Sequence, residues 1–474
     1  MLSAIAHKEL KIYLRSGVFL AVAAALIGLI VMAVILSVQR VTAFENERAS
    51  AVAADRTIWD EQGVKNPHGA AHFARYAFRP TPTLAAFDPG IADYAGMALW
   101  MEAHYQNPAV FRRAEEQGDT GWIASLSPAW ILQTMTPLFI FLVLFGAIAG
   151  ERESGTLRQN AALGVGPRAL AGGKLGGAAL SLGVVIAPVL AGALFVAAGA
   201  GGAVTLEDNA LRIVGLTLTY GAFLLAAGAI AIGVSALCRD RRSALIALVS
   251  IWAVSFVFTP RLAGDIAASA HPEPDAGALT AALQKAARGL GADAEAMAAL
   301  PSEAMAEYGV ERMEDLPINF LGYRLQRAEE YAYDLFAEIY GQLGAVHDAQ
   351  ERILGAASVI SPVIAVKRLS SGLAGVDRLH QQAFIDVAEE HRREIVEQLN
   401  RDFMINGADA VGAAYTADEN LWRQIEDFDH EALSFRAVAG RYLSSALVLL
   451  AYLLGSIVFV RWAVARAQKR VIQS

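Results

Sequence analysis

Ser127–Gly177 reads SPAWILQTMTPLFIFLVLFGAIAGERESGTLRQNAALGVGPRALAGGKLGG, and its first half decides the fold. Pro128 to Gly150 are 23 residues without a charge, where a helix needs about 20 to cross a hydrocarbon core. Glu151-Arg152-Glu153 ends the run. Each ionic group near the bilayer centre costs roughly 2.5–3.5 kcal/mol, so the helix has to leave the membrane there. An interfacial segment follows, carrying Arg158, Arg168 and Lys174 and broken by Gly155, Gly164, Gly166 and Pro167. It then turns back into a second apolar run.

Outward from this stretch the pattern repeats. Gly17–Val38, Leu175–Leu206, Ile213–Cys238, Ser243–Pro260 and Tyr442–Val460 are also uncharged, in a chain of 474 residues that is 55% hydrophobic and 18% charged. Such a composition belongs to an integral membrane protein. The fold expected is an all-α integral membrane protein with six transmembrane helices and two mainly helical extracytoplasmic insertions. Its parts are an amphipathic helix (1–16), transmembrane helix 1 (17–38), a first outer region (39–127), transmembrane helices 2–5 (128–260) with a cytoplasmic coupling loop (151–174), a second outer region (261–441), transmembrane helix 6 (442–460) and a tail (461–474). The run 17–38 is too long for a signal peptide and lacks an A-x-A site, so it reads as an uncleaved anchor. The single Cys238 allows no intrachain disulfide.

Some expectations are more local. Leu175–Leu206 is long for one span and rich in Gly and Ala, which suggests a start in the interface, a kink at Pro188 and a buried place in the bundle. Glu207-Asp208-Asn209 reads as an outer turn, and Arg239-Asp240-Arg241-Arg242 as an inner loop. The first outer region holds Trp59, Tyr76, Trp100, Tyr105 and Trp122, and its prolines at 67, 80, 82, 89 and 108 predict short helices and turns. In the second, 319–357 and 377–404 carry amphipathic helical patterns that predict a hairpin. The intervening VISPVIAVKRLSSGLAG is too short and basic to span and is expected against the outer membrane face.

Charge distribution orients the chain. The amino end, 151–174, 239–242 and 461–474 hold 14 Lys/Arg against 4 Asp/Glu, net +10, leaving −18 for everything else. The positive-inside rule then places both termini in the cytoplasm.

Little in the sequence points to chemistry. GGKLGG at Gly172–Gly177 is not a phosphate-binding loop, because Leu175 follows Lys174 where Ser or Thr is required. His68 and His72 share a helical face but lack the glutamate of H-E-x-x-H. The spread of the histidines favours solvated or capped side chains, and no metal or catalytic residue is expected. Glu329-Glu330 and Glu389-Glu390 read as solvated faces of amphipathic helices.

The pattern ERESGTLRQ…GVGPRAL…GGK, with Glu151, Glu153, Gly155, Thr156, Leu157, Arg168, Gly173 and Lys174 in order, resembles the cytoplasmic loop of type-2 ATP-binding-cassette (ABC-2) permeases. The stretches NPHGAAHFARYAFRPTPTLAAFDPGIADYAGMALWMEAHYQN and LSSGLAGVDRLHQQAFIDVAEEHRREIVEQLN resemble a subfamily, known mainly as a domain of unknown function, with long periplasmic insertions. The resemblance implies a permease subunit of an ATP-driven exporter in the bacterial inner (cytoplasmic) membrane, not itself an enzyme. Its implied partners are an ABC ATPase subunit, a second permease copy or paralogue, the lipid bilayer and a periplasmic protein, with no nucleic acid. The chain itself would carry no cofactor; ATP and Mg would sit on the partner ATPase. Coupling residues implied are Lys8, Glu9, Glu151, Arg152, Glu153, Gly155, Thr156, Leu157, Arg158, Arg168 and Lys174. In that picture Glu151 and Glu153 pair with basic groups of the ATPase, and Arg152 and Arg158 meet its acidic groups or lipid phosphates. Two alternatives stay open: the membrane component of a copper-enzyme maturation system, and a membrane sensor with an extracytoplasmic helical domain.

Overall fold

The structure, a computed structural model, describes residues 1–82, 84–116, 126–200 and 205–473, so Trp122 lies outside the described residues. It is 77% helical with almost no strand. The amphipathic α1 (Leu2–Arg15) stops at Ser16, whose extended backbone and side-chain oxygen cap the 44-residue α2 (Gly17–Asp60). Next come α3 (Pro67–Phe73) and an antiparallel pair, β1 (Arg75–Phe78) and β2 (Ala98–Met101), in which Tyr76 faces Trp100. Then follow α4 (Pro128–Glu153), α5 (Thr156–Ala162), α6 (Pro167–Ala200), α7 (Leu206–Leu237) and α8 (Arg241–Ala270). The second inserted segment contains α9 (Ala276–Arg288), α10 (Ala294–Tyr308), α11 (Phe320–Ala357), α12 (Pro362–Ala374) and α13 (Arg378–Asn406), and α14 (Phe435–Gln473) closes the chain.

Six of these helices, α2, α4, α6, α7, α8 and α14, are long and apolar enough to cross a membrane. The apolar windows of α4 and α7 are 61% and 67% buried, against 17–28% for the other four, so α4 and α7 form the centre and the rest surround them. The Gly/Ala-rich α6 is therefore peripheral, contrary to the sequence reading. Gly183 and Gly192 have open space where a Cβ would stand.

Both central and peripheral helices use the same device around proline. A π-helical turn, Ile131–Met135, precedes Thr136-Pro137 in α4, and another, Ala253–Phe258, precedes Thr259-Pro260 in α8. Proline removes an N–H and crowds the carbonyl four residues back, and a wide turn absorbs the misfit. The hydroxyls of Thr136 and Thr259 donate to the Ile131 and Val254 carbonyls at 3.1 and 2.8 Å, and the Trp252 indole donates to the Thr134 carbonyl at 2.8 Å. In lipid such loosened carbonyls need partners from within the protein. Because of this turn, α8 runs on to Ala270 instead of stopping at Pro260.

Several boundaries differ from the sequence reading. No Gly or Pro occurs between Gly28 and Gly63, so α2 continues 22 residues past Val38. Glu207-Asp208-Asn209 is not a turn but the first turn of α7, where Thr205 caps the helix. Asp208 and Arg212 are buried there as an ion pair at 2.5 Å. The Arg212 guanidinium also donates to the Leu373 and Leu433 carbonyls, while Asp208 accepts from the Phe435 amide. Ten of the thirteen residues of α12 are buried, so it is a wedge set into the bundle and not a surface segment. Leu373 packs on Gly215, the Tyr442 ring packs on Gly372, and Ser370 bonds the Tyr220 hydroxyl at 2.8 Å.

The two inserted segments share one core. Trp59 and Trp422 are buried edge to face, with each indole N–H bonded to a backbone carbonyl, and Phe384, Val396 and Leu399 of α13 pack with Leu99 and Met101 of β2. The Arg79 guanidinium donates to Gln381 at 2.6 Å and to the Gly375 carbonyl at 3.0 Å. The expected hairpin of α11 and α13 is present, and they pack against each other through this domain.

Candidate functional site

At the end of the bundle away from this domain, α1 lies across the first turns of α6. The Gly172–Gly177 run is helical here, and its glycines let the two backbones touch. A Cβ on Gly173 would stand 2.5 Å from the Ile5 Cβ, and one on Gly177 would stand 2.4 Å from the Glu9 Cβ and 2.9 Å from the Ala6 carbonyl oxygen. This contact buries Glu9 and Lys174 against Glu151 at the foot of α4. Lys174 Nζ lies 2.9 Å from Glu9 Oε1 and 2.7 Å from Glu151 Oε1, with Lys8, largely exposed, 3.8 Å from Glu151. A Gly177→Ala substitution is expected to cost about 1–3 kcal/mol through overpacking, whereas Gly183→Ala, with nothing within 4 Å, gains up to about 1 kcal/mol of helix propensity. Thermal denaturation in detergent compares them; equal midpoints would mean that α1 is not clamped at Gly177.

The other sequence-predicted residues divide between inside and outside. Arg152 turns inward and caps α7, donating to the Cys238 carbonyl and, at 2.7 Å, to the Ala236 carbonyl. This places a cation at a helix C-terminus, where the unpaired carbonyls carry partial negative charge. Glu153 pairs with Arg241, accepting from its amide at 2.7 Å and lying 3.2 Å from its Nε. Gly155 sits at φ +76 between α4 and α5, a conformation glycine adopts without strain. The Thr156 hydroxyl donates to the Glu151 carbonyl, and Leu157 is fully buried. Lys8, Arg158 and Arg168 are exposed. Thus 151–174 is not a free interfacial loop. It is two helical turns and a bend, with Lys174 inside α6, and Gln468 of α14 braces the bend through the Val165 carbonyl at 3.0 Å. Glu151 and Arg152 are held in contacts within the chain, and Glu153 is exposed in a surface pair with Arg241.

Sequence reasoning missed Ser235, whose hydroxyl accepts from the Ile148 and Ala149 amides and donates to the Phe145 carbonyl, satisfying the backbone where α4 breaks. It also missed what the domain holds. His68, His72 and His104 converge, with ring centroids 4.9–5.0 Å apart. They are the group of metal-ligating side chains close enough to share one ion among the described residues. Three of the nine histidines therefore cluster, which their spread along the sequence did not suggest. Burial, and then the neighbouring His104, push the His68 imidazole down to about 4, and the same two causes lower His72. Glu329 and Glu389 are likewise not solvated. Glu329 faces His104 and Arg392, and Glu389 forms a two-point pair with Arg392 at 2.8 Å. Burial works against the Glu329 carboxylate, but His104 and Arg392 outweigh it and hold its pKa below the usual range.

A cavity of about 780 Å³ opens between α2 and the β1–β2 pair, walled by Phe44, Tyr76, Phe78, Trp100 and Phe111 with Arg48 and Asp55 at its edge.

Residues 278–431 match a family model described as "Domain of unknown function (DUF3526)". That span takes in α9 to α13 and supplies Glu329, Glu389, Arg392 and Asn400, while the three histidines lie outside it. No curated protein matches the chain.

Proposed function

We propose that this chain is the membrane-spanning permease subunit of an ATP-driven exporter of the ABC-2 type. The observation that carries the reading is the clamp of α1 on α6: Glu9, Lys174 and Glu151 lock an interfacial helix to two spans, so a push on one is felt by the others. The outer side of this clamp presents Lys8, Lys11, Arg15, Arg158 and Arg168, a basic face suited to acidic groups of a motor protein or to lipid phosphates. The matched domain family often accompanies ABC-2 permeases, which supports the same reading. On this proposal a separate ATPase holds ATP and Mg, a second copy or a paralogue completes the transporter, and the clamp faces the cytoplasm of a bacterial cell. The domain then lies in the periplasm.

The test is affinity purification from native membranes in mild detergent, comparing wild type with Lys11→Glu/Arg158→Glu/Arg168→Glu, all exposed. These residues can be reversed without disturbing the core, whereas changes at Glu151 or Glu153 would break pairs within the chain. Co-purification of an ATPase with the wild type, reduced at least about tenfold in the variant by loss of roughly 1.4 kcal/mol or more, is expected. Equal recovery from both removes the basic face from the coupling, and absence of any ATPase removes the transporter. A membrane sensor is the second reading, favoured by the aromatic cavity beside α2, and the second of those outcomes would select it.

A further inference from the structure

The geometry points to a binding site for a divalent transition-metal ion, of the imidazole-preferring kind represented by zinc, formed by His68, His72 and His104. The inference stands on the domain alone and does not depend on the transporter reading.

The three side chains are placed by unrelated local devices. Asn66 caps α3 by accepting from the His68 amide at 2.9 Å, and Pro67 occupies the first turn, which sets His68 and His72 one turn apart on one face. His104 follows β2 in a left-handed conformation, φ +64, uncommon for any residue but glycine. It is held there by Glu329, which accepts from its backbone amide at 2.9 and 3.2 Å. Strained backbone of this kind persists where surrounding structure enforces it, and it gathers at functional sites.

Hydrogen bonding fixes which nitrogen of each inner histidine is free. Glu330 can only accept, so the Gln326 amide turns its NH2 to it at 3.1 Å and leaves its oxygen for the Asn400 NH2 at 3.2 Å. The Asn400 oxygen is then left to accept from His68 Nδ1 at 3.0 Å. His104 Nδ1 likewise faces the Glu329 carboxylate. Both imidazoles therefore carry their hydrogen on Nδ1 and direct Nε2 at each other, 3.1 Å apart. Two lone pairs at that distance repel unless a cation lies between them. A proton would serve one pair of rings, but a third imidazole, His72, stands beside them, with the ligand atoms of all three within 4.8 Å of one another.

A metal ion meets all of these features. With metal–nitrogen lengths of about 2.05 Å, a 3.1 Å separation corresponds to an angle of about 100° at the metal, near tetrahedral. His72 is exposed and closes the remaining distance by side-chain rotation. Glu329 on His104 and Asn400 on His68 are the outer partners that such ligands characteristically have, fixing tautomer and ring orientation. Three nitrogens leave a fourth position open to solvent on the His72 side. The ligands come from the first inserted segment and their supports from the second, so the ion would also fasten the two together.

The test uses full-length protein without a histidine tag, purified in detergent, stripped with a chelator and titrated with Zn2+ and Co2+. One ion per chain and the visible absorption of tetrahedral Co2+ are expected. Glu329→Gln should weaken binding about 10–100-fold; His72→Ala and His104→Ala should weaken it further and abolish the absorption; His347→Ala, in a solvent-facing pair with Glu273, should change nothing. His72 is exposed, so its variant keeps the fold and decides the matter by itself. No stoichiometric ion, or binding unchanged in His72→Ala, would overturn the assignment.

Discussion

Lys174→Met is expected to destabilise the protein by about 3–5 kcal/mol, because it strands the buried carboxylates of Glu9 and Glu151. Lys174 is the buried cation common to both, at 2.9 and 2.7 Å; Lys8, at 4.0 and 3.8 Å from the same carboxylates, is largely solvated and makes the weaker pairs. Unfolding in detergent measures the loss. Arg168→Met, on the exposed side of the same helix, should stay within about 0.5 kcal/mol. Adding Glu9→Gln and Glu151→Gln to Lys174→Met should restore most of the loss, since removing every member of a buried ionic group is far milder than removing one. A Lys174→Met protein as stable as Arg168→Met would show that the cluster is solvated and that α1 is not locked to α4.

The second large effect is in the domain. Arg392 is 1% exposed and donates from two nitrogens to Glu389 at 2.8 Å and from a third to the Glu102 carbonyl at 3.1 Å, while Glu329 lies 3.8 Å away. Arg392→Met leaves Glu389 with only the partly exposed Arg393 and Glu329 with only His104, with an expected loss of about 3–5 kcal/mol. Arg392→Lys should recover only part of it, because an ammonium cannot form the planar two-point pair. The neighbouring Arg393 is partly exposed and stacks on the Tyr333 ring at 4.4 Å, so Arg393→Met should cost no more than about 1 kcal/mol. Comparable midpoints for the Arg392 and Arg393 variants would contradict this burial.

The spans were legible because uncharged runs of bilayer length have few other readings, and the hairpin of α11 and α13 because its apolar positions keep helical spacing over many turns. The foot of α4 was legible as a site of importance but not in its workings. Sequence marks Glu151, Arg152 and Glu153 as ionic, yet whether they face outward or inward depends on Lys174, Cys238 and Arg241, which only folding brings near. The same holds for Glu329 and Glu389: on a helical wheel they look solvated, and only the arrival of His104 and Arg392 makes their burial tolerable. His104 gave no signal at all. It is 32 residues from His72, and its left-handed backbone is a consequence of Glu329 rather than of its own residue type. The continuation of α2 was readable, since nothing between Val38 and Asp60 breaks a helix; its change from apolar to polar marks where solvent begins, not where the helix ends.

That unbroken helix has a mechanical meaning. At 1.5 Å per residue, the 44 residues of α2 span about 66 Å, roughly twice the thickness of a hydrocarbon core. One end is joined through Ser16 to the clamped α1, and the other places Trp59 in the centre of the domain. A rigid rod pivoting at Ser16 carries its far end about 11 Å for a tilt of about 10°. On the permease proposal, a small angular change at the Ser16 end would thus reach the domain as a much larger displacement.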